Sequence, residues 1–155
     1  MRIGFWETTP ILQECLRRRA AYHPLGNRIV PEQARHGATY DLFLSDRVFL
    51  PDPFPFHTEI GLIPGSARGR DGGALLLPRE GVFLTGGMRN FDPVTFSSIG
   101  DDTAMLCLQQ EIFWKGKSVV PFEKKVPFDR DFSLYKNLAA SFAFCLAEAL
   151  FLEDL

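Results

Sequence analysis

The segment DFSLYKNLAASFAFCLAEALFLEDL, residues 131–155, decides the fold of this chain. Asp131 or Ser133 caps a helix, because a short polar side chain there accepts hydrogen bonds from the first-turn N–H groups. Leu134, Leu138, Phe142, Cys145, Leu146 and Ala149 then recur at steps of three or four along one broad stripe. The other face carries Ala139, Ala140 and Ala143 and few charges. A helix this apolar requires a covering layer, and small flanking side chains let strands approach it closely. The spacing therefore predicts a terminal helix packed over a sheet.

Upstream residues supply that sheet. Residues 3–6 read as a short strand, and Thr8 or Thr9 caps a helix with Pro10 at its first position, where proline is favoured. Ile11, Leu12, Cys15 and Leu16 make its apolar face, and the run His23 to Asn27 ends it. The stretch 27–39 is polar and irregular, with one helical turn expected at Pro31-Glu32-Gln33-Ala34. YDLFLSDRVFL (40–50) reads as strand, turn and strand, with Ser45-Asp46 at the turn. Pro51, Pro53 and Pro55 then forbid a regular ladder. HTEIGLIPG (57–65), ALLLP (74–78), GVFLTGG (81–87), VTFSSIGDD (94–102) and TAMLCLQQEIFW (103–114) are further strands or strand entrances. Lys115-Gly116-Lys117 is a hairpin turn, and SVVPFEKKVPF (118–128) returns as its partner strand. The expected class is α+β: an antiparallel sheet of short strands packed against an N-terminal helix and a C-terminal helix. Nothing divides the chain, so one domain over 1–155 is expected.

Composition narrows the function classes. The chain has 155 residues, a net charge of −2, 46% apolar residues and 15 phenylalanines. It is long enough to bury a core without a metal or disulfide staple. A mildly acidic chain does not suggest a nucleic-acid partner. The basic run Arg17-Arg18-Arg19 reads as a solvated helix face. Cys15, Cys107 and Cys145 lack any close spacing and sit among apolar residues, so buried free thiols are expected. The N-terminus lacks the pattern of a secretory signal, and no segment reads as a membrane span. A cytoplasmic location is the expectation.

The residue patterns of common chemistries are not met. GSARGRDGG (65–73), with Arg68 and Arg70, has glycines and arginines suited to an anion, but no Gly-Lys-Ser/Thr opening a helix. His23, His36 and His57 lack metal-ligand spacing, and His36 and His57 do not form a matched acid–base pair. No serine occupies a nucleophile elbow. Asp101-Asp102 is a paired carboxylate at a turn, where Asp is common for local reasons. No cofactor is expected.

Three pieces together carry a resemblance. They are Ile99-Gly100-Asp101-Asp102 before a strand, Phe113-Trp114-Lys115-Gly116, and Ala139-Ala140-Ser141-Phe142 in the last helix. In these the chain resembles the C-terminal half of the SUKH superfamily, over about its last third. The first half lacks the family's leucine-proline helix entry and its asparagine-glycine pair. The resemblance implies a non-catalytic binding domain, many such domains being bacterial immunity proteins that bind and block a toxin. A partner surface of Asp101, Asp102, Glu111 and Trp114 is expected on that reading, pairing carboxylates and an aromatic anchor with basic toxin groups. The alternatives are a small enzyme on a phosphorylated ligand, using Arg68, Arg70 and His57, and an adaptor of a phage or secretion system.

Overall fold

In the computed structural model, which describes residues 1–5, 10–46, 57–65 and 82–152, Ser133 caps the terminal helix α2 (Leu134–Phe151). Its hydroxyl accepts from the Lys136 N–H at 3.3 Å. Every residue from Asn137 to Ala147 is buried, so the helix is covered all round and not on one stripe alone. Full burial of side chains such as Leu138, Phe142 and Leu146 contributes roughly 1.5–3 kcal/mol each. By length and composition α2 is apolar enough to cross a membrane, with a mean hydropathy of 1.2. Here it forms the core helix of the fold.

The helix α1 (Pro10–Tyr22) lies alongside it. Leu12, Cys15 and Leu16 face inward, as their spacing predicts. Cys15 Sγ donates to Lys136 O at 3.6 Å, Arg19 Nη1 to Ser141 Oγ at 2.7 Å, and His23 Nε2 lies 2.9 Å from Glu148 Oε1. Residue numbers climb together along this seam, so the two helices run parallel. A 3₁₀ turn at Gly26–Arg28 follows α1.

Among the described residues there are also ten strands: β1 (Arg2–Phe5), β2 (Val30–Gln33), β3 (Thr39–Leu44), β4 (His57–Pro64), β5 (Val82–Gly86), β6 (Val94–Ile99), β7 (Thr103–Leu108), β8 (Ile112–Trp114), β9 (Lys117–Val119) and β10 (Phe122–Pro127). Eight of them form one sheet in the order β10-β7-β6-β5-β4-β3-β1-β2. Strands β8 and β9 form a separate hairpin.

The α+β class and both helices stand, but the pairing differs from the expected antiparallel sheet. From β2 to β6 all neighbours are parallel, and only β6–β7, β7–β10 and β8–β9 are antiparallel. Parallel neighbours need a connection of a dozen or so residues, and 45–56 and 65–81 are long enough to provide it. Strand β6 needs no crossover, since it meets β5 only at Gly86↔Val94 and runs onward in the same direction. The helical turn expected at 31–34 is instead β2, held in register along β1. The expected return strand 118–128 splits: β9 pairs with β8, and β10 pairs with β7. The readings at Thr8 or Thr9, at 47–56, and at 66–81, with Arg68 and Arg70, lie outside the described residues.

The hairpin turn forms as expected. Lys115 and Gly116 have φ of 54° and 71°, the pair of left-handed residues that a tight two-residue turn requires. Trp114 anchors the hairpin at 2% exposure, its Nε1 donating to Asp41 O at 2.9 Å. Lys115 adds an ion pair with Asp41 and a backbone N–H to Glu59 Oε2 at 3.0 Å.

Candidate functional site

Helical geometry places Arg18, Arg19 and Tyr22 along the second half of α1. Opposite them stand the β6–β7 turn (100–102) and the crossover 127–131 that leads into α2. Together they enclose an open groove of about 470 Å³.

Charge is distributed unevenly in this groove. Arg18 Nη1 reaches Asp131 Oδ2 at 3.1 Å and Asp129 Oδ2 at 3.4 Å, with its guanidinium 4.9 Å from the centre of the Phe132 ring. Arg19 is drawn inward, bound to Ser141 and, through Nη2, to Pro127 O at 2.9 Å. Burial pulls its pKa below the usual arginine value, with nearby groups opposing that shift. Arg130 donates from Nε to Asp101 O and from Nη2 to Gly100 O, both at 2.8 Å. Those bonds hold the 100–102 turn by its backbone and leave the Asp101 side chain fully exposed, 3.5 Å from the guanidinium. Asp102 and Asp131 are also exposed. Tyr22 stands at the rim at 92% exposure.

Cys15 also lines this groove. Burial pushes its thiol up to about 11, so at neutral pH it is protonated and a poor nucleophile. Cys145, on the far part of α2, is likewise pushed up to about 11 by burial. What the groove offers is a mixed set of exposed charges, with Asp131 paired to Arg18, Asp101 near Arg130 and Asp102 exposed, beside an exposed phenol, an arrangement suited to recognition.

Of the four residues expected to form a partner surface, Asp101 and Asp102 lie here. Glu111 is exposed on the β8–β9 hairpin, where it accepts from Ser118 Oγ. It stands beyond the opposite end of β7 from Asp101 and Asp102, so the four do not share one face. Trp114 is buried and cannot act as a surface anchor. The alternation of the hairpin turns Phe113 outward instead, at 70% exposure. His57 begins β4, exposed, with its N–H donated to Ala38 O at 2.8 Å, and His36 is exposed in the turn before β3. Tyr22 escapes sequence reasoning because it falls seven residues after Cys15, on the apolar side of the helical wheel; Arg19 and His23 fill the seam with α2 at this level, and Tyr22 is left in solvent.

A buried carboxylate organises a second region, at the C-terminal ends of β4 and β5. Asp92 is fully buried, its Oδ1 accepting from Thr85 Oγ1 at 2.8 Å and its Oδ2 from the Arg89 N–H at 3.0 Å. These bonds shape the 87–93 loop, as a side chain capping its own turn does. Among the described residues no group of three or more acidic, histidine or cysteine side chains is arranged to hold a metal ion.

Comparisons of the chain with family models, with curated proteins and with solved structures returned no match.

Proposed function

We propose that this chain is a non-catalytic protein-binding module, an immunity protein of the bacterial cytoplasm that blocks a toxin by occlusion. The groove between α1 and the 100–102 turn is its contact surface. Tyr22 is the aromatic anchor, and Asp101, Asp102 and Asp131 meet basic groups of the partner. The observation that carries this reading is Tyr22 at 92% exposure beside a fully exposed Asp101. A large rigid ring ringed by charge is the composition of an interface centre, where a few aromatic side chains supply most of the affinity. The local resemblance to the SUKH superfamily adds to it, since Asp101 and Asp102 belong to the matching Ile-Gly-acidic turn. Trp114 and its hairpin serve as scaffold on this reading.

The experiment is co-expression with the product of the adjacent gene, followed by gel filtration. A stoichiometric complex is expected, and Tyr22→Ala and the double change Asp101→Lys/Asp102→Lys each weaken it at least about tenfold with unchanged melting temperature. A neighbour that does not co-elute removes the immunity reading. A complex indifferent to these variants removes the groove as the contact surface.

A further inference from the structure

Strand β10 is the outer strand of the eight-stranded sheet, and among the described residues its backbone has an unused side. Its register with β7 is continuous, from Phe122↔Leu108 to Pro127↔Thr103. Phe128 N donates to Asp102 O at 2.8 Å on the same register, so even-numbered residues turn their N–H and C=O groups toward β7. Odd-numbered residues therefore point theirs outward. The Pro127 carbonyl obeys this parity, accepting from Arg19 Nη2 at 2.9 Å on the outer side. Pro121 and Pro127, both at outward positions, have no N–H to offer. Among the described residues no strand pairs with this side. The open ladder groups are thus those of Glu123 and Lys125, both exposed.

We propose that this edge pairs antiparallel with the same edge of a second copy, about a two-fold axis at Lys124. In that register the edge is its own complement. Glu123 lies opposite the partner's Lys125, and Lys125 opposite the partner's Glu123. Each of these pairs exchanges both backbone hydrogen bonds at a Cα separation of about 5.5 Å, with opposite charges across the strands. Pro121 falls opposite the partner's Pro127, so a position lacking an N–H meets another lacking one. Phe122 falls opposite the partner's Val126, on the helix side of the sheet, where Val126 is already buried in its own core. Lys124 meets the partner's Lys124 at the axis, but each ammonium is already held by Glu148 of its own chain. Glu123 also accepts from Ser97 Oγ at 2.5 Å, which steadies its carboxylate on the outer face. The outer strand at the other end offers no such match: in β2, Pro31 lacks an N–H, and Glu32 is bound by Arg2 and Arg35. The prolines confine the pairing to a few residues, which makes a reversible dimer and blocks longer edge-to-edge growth.

Sedimentation velocity over a dilution series tests this. The wild-type chain is expected to rise from 17.5 kDa toward twice that mass with concentration. Glu123→Lys alone or Lys125→Glu alone sets like charges opposite each other and weakens association at least tenfold. The double change Glu123→Lys/Lys125→Glu restores it, because opposite charges again face each other. Lys125→Pro removes an outward N–H and abolishes it, and circular dichroism checks that each variant is folded. A wild-type chain that stays monomeric at the highest concentration overturns the proposal, as do single variants that associate like wild type or a double variant no better than the singles. A monomer that instead binds an extended acidic peptide at this edge also overturns self-pairing.

Discussion

His23 makes two hydrogen bonds with opposite demands on its ring. Nδ1 accepts from the Leu25 N–H at 3.0 Å, while Nε2 faces Glu148 Oε1 at 2.9 Å, which selects the neutral ring protonated at Nε2. Burial first, then the charges of Lys124 and Arg19, lower its pKa below 6.5. The unfolded chain therefore takes up this proton at a higher pH than the folded one. Stability from this site is complete above pH 6.5, declines as pH falls below it, and levels off under the folded pKa. Urea midpoints are expected to be lower at pH 5.5 than at pH 7.5, and His23→Gln to flatten the difference; a variant with the full wild-type pH dependence refutes the assignment. Steric demand is as local at Gly61. A Cβ there would stand 2.5 Å from the Phe83 ring and 3.2 Å from the Phe43 ring, which pack edge to face at 6.0 Å. Gly61→Ala is expected to cost about 1–3 kcal/mol in denaturant unfolding. Adding Phe83→Leu should cost less than the sum of the separate changes, because the smaller side chain relieves the clash.

At the scale of elements, one side chain joins α2 to the crossover before it. Asn137 is fully buried, its Oδ1 accepting from Asp129 N at 2.8 Å. Its Nδ2 donates to Asp129 O at 2.8 Å and lies within 3.2 Å of the Ser133 and Phe132 carbonyls. Each buried group left unpaired costs roughly 1–3 kcal/mol. Asn137→Ala is therefore expected to lower stability far more than Ser133→Ala, which removes a cap worth about 1 kcal/mol. Equal losses in thermal melts of the two variants contradict this ranking. The hairpin gives a second contrast. Trp114→Phe leaves the Asp41 carbonyl without its donor and should cost about 1 kcal/mol or more. Phe113→Ala, on the exposed side of the same strand, should stay within about 0.5 kcal/mol of wild type. The reverse order would mean that the hairpin faces the other way.

At the scale of the whole molecule, one hydrophobic cluster of the described residues ties the two halves together. Ile3, Leu42 and Leu62 of the parallel strands share it with Leu106, Trp114 and Phe142 of the C-terminal half. Unfolding is expected to be one cooperative transition, with far-ultraviolet circular dichroism and tryptophan fluorescence tracing the same urea curve. Separate midpoints would mean that the antiparallel part unfolds on its own. The two outer strands also show how the sheet ends. Pro31 lies in β2, and Pro121 and Pro127 bracket the lysines of β10, so neither edge offers a long run of open N–H groups.

What residues reveal about themselves depends on how far away their deciding partners lie. The terminal helix, the inner face of α1 and the Lys115-Gly116 turn follow from spacings of a few residues, and the sequence alone determined them; between the two caps it offered, Asp131 and Ser133, the folded chain selects Ser133. Strand direction did not follow, because an alternating strand reads the same whether its neighbour runs parallel or antiparallel. Residues 31–34 carry a local helical signal that pairing with β1 overrides. Trp114 and Phe113 are adjacent in the chain, and only the Asp41 carbonyl, far away in sequence, selects which one is buried. Tyr22 carries the helical phase of a core residue, yet Arg19 and His23 take the contacts with α2 on either side of it and leave it in solvent. Local propensity and periodicity are written into neighbouring residues, whereas pairing partners and exposure depend on groups that only the folded chain brings together.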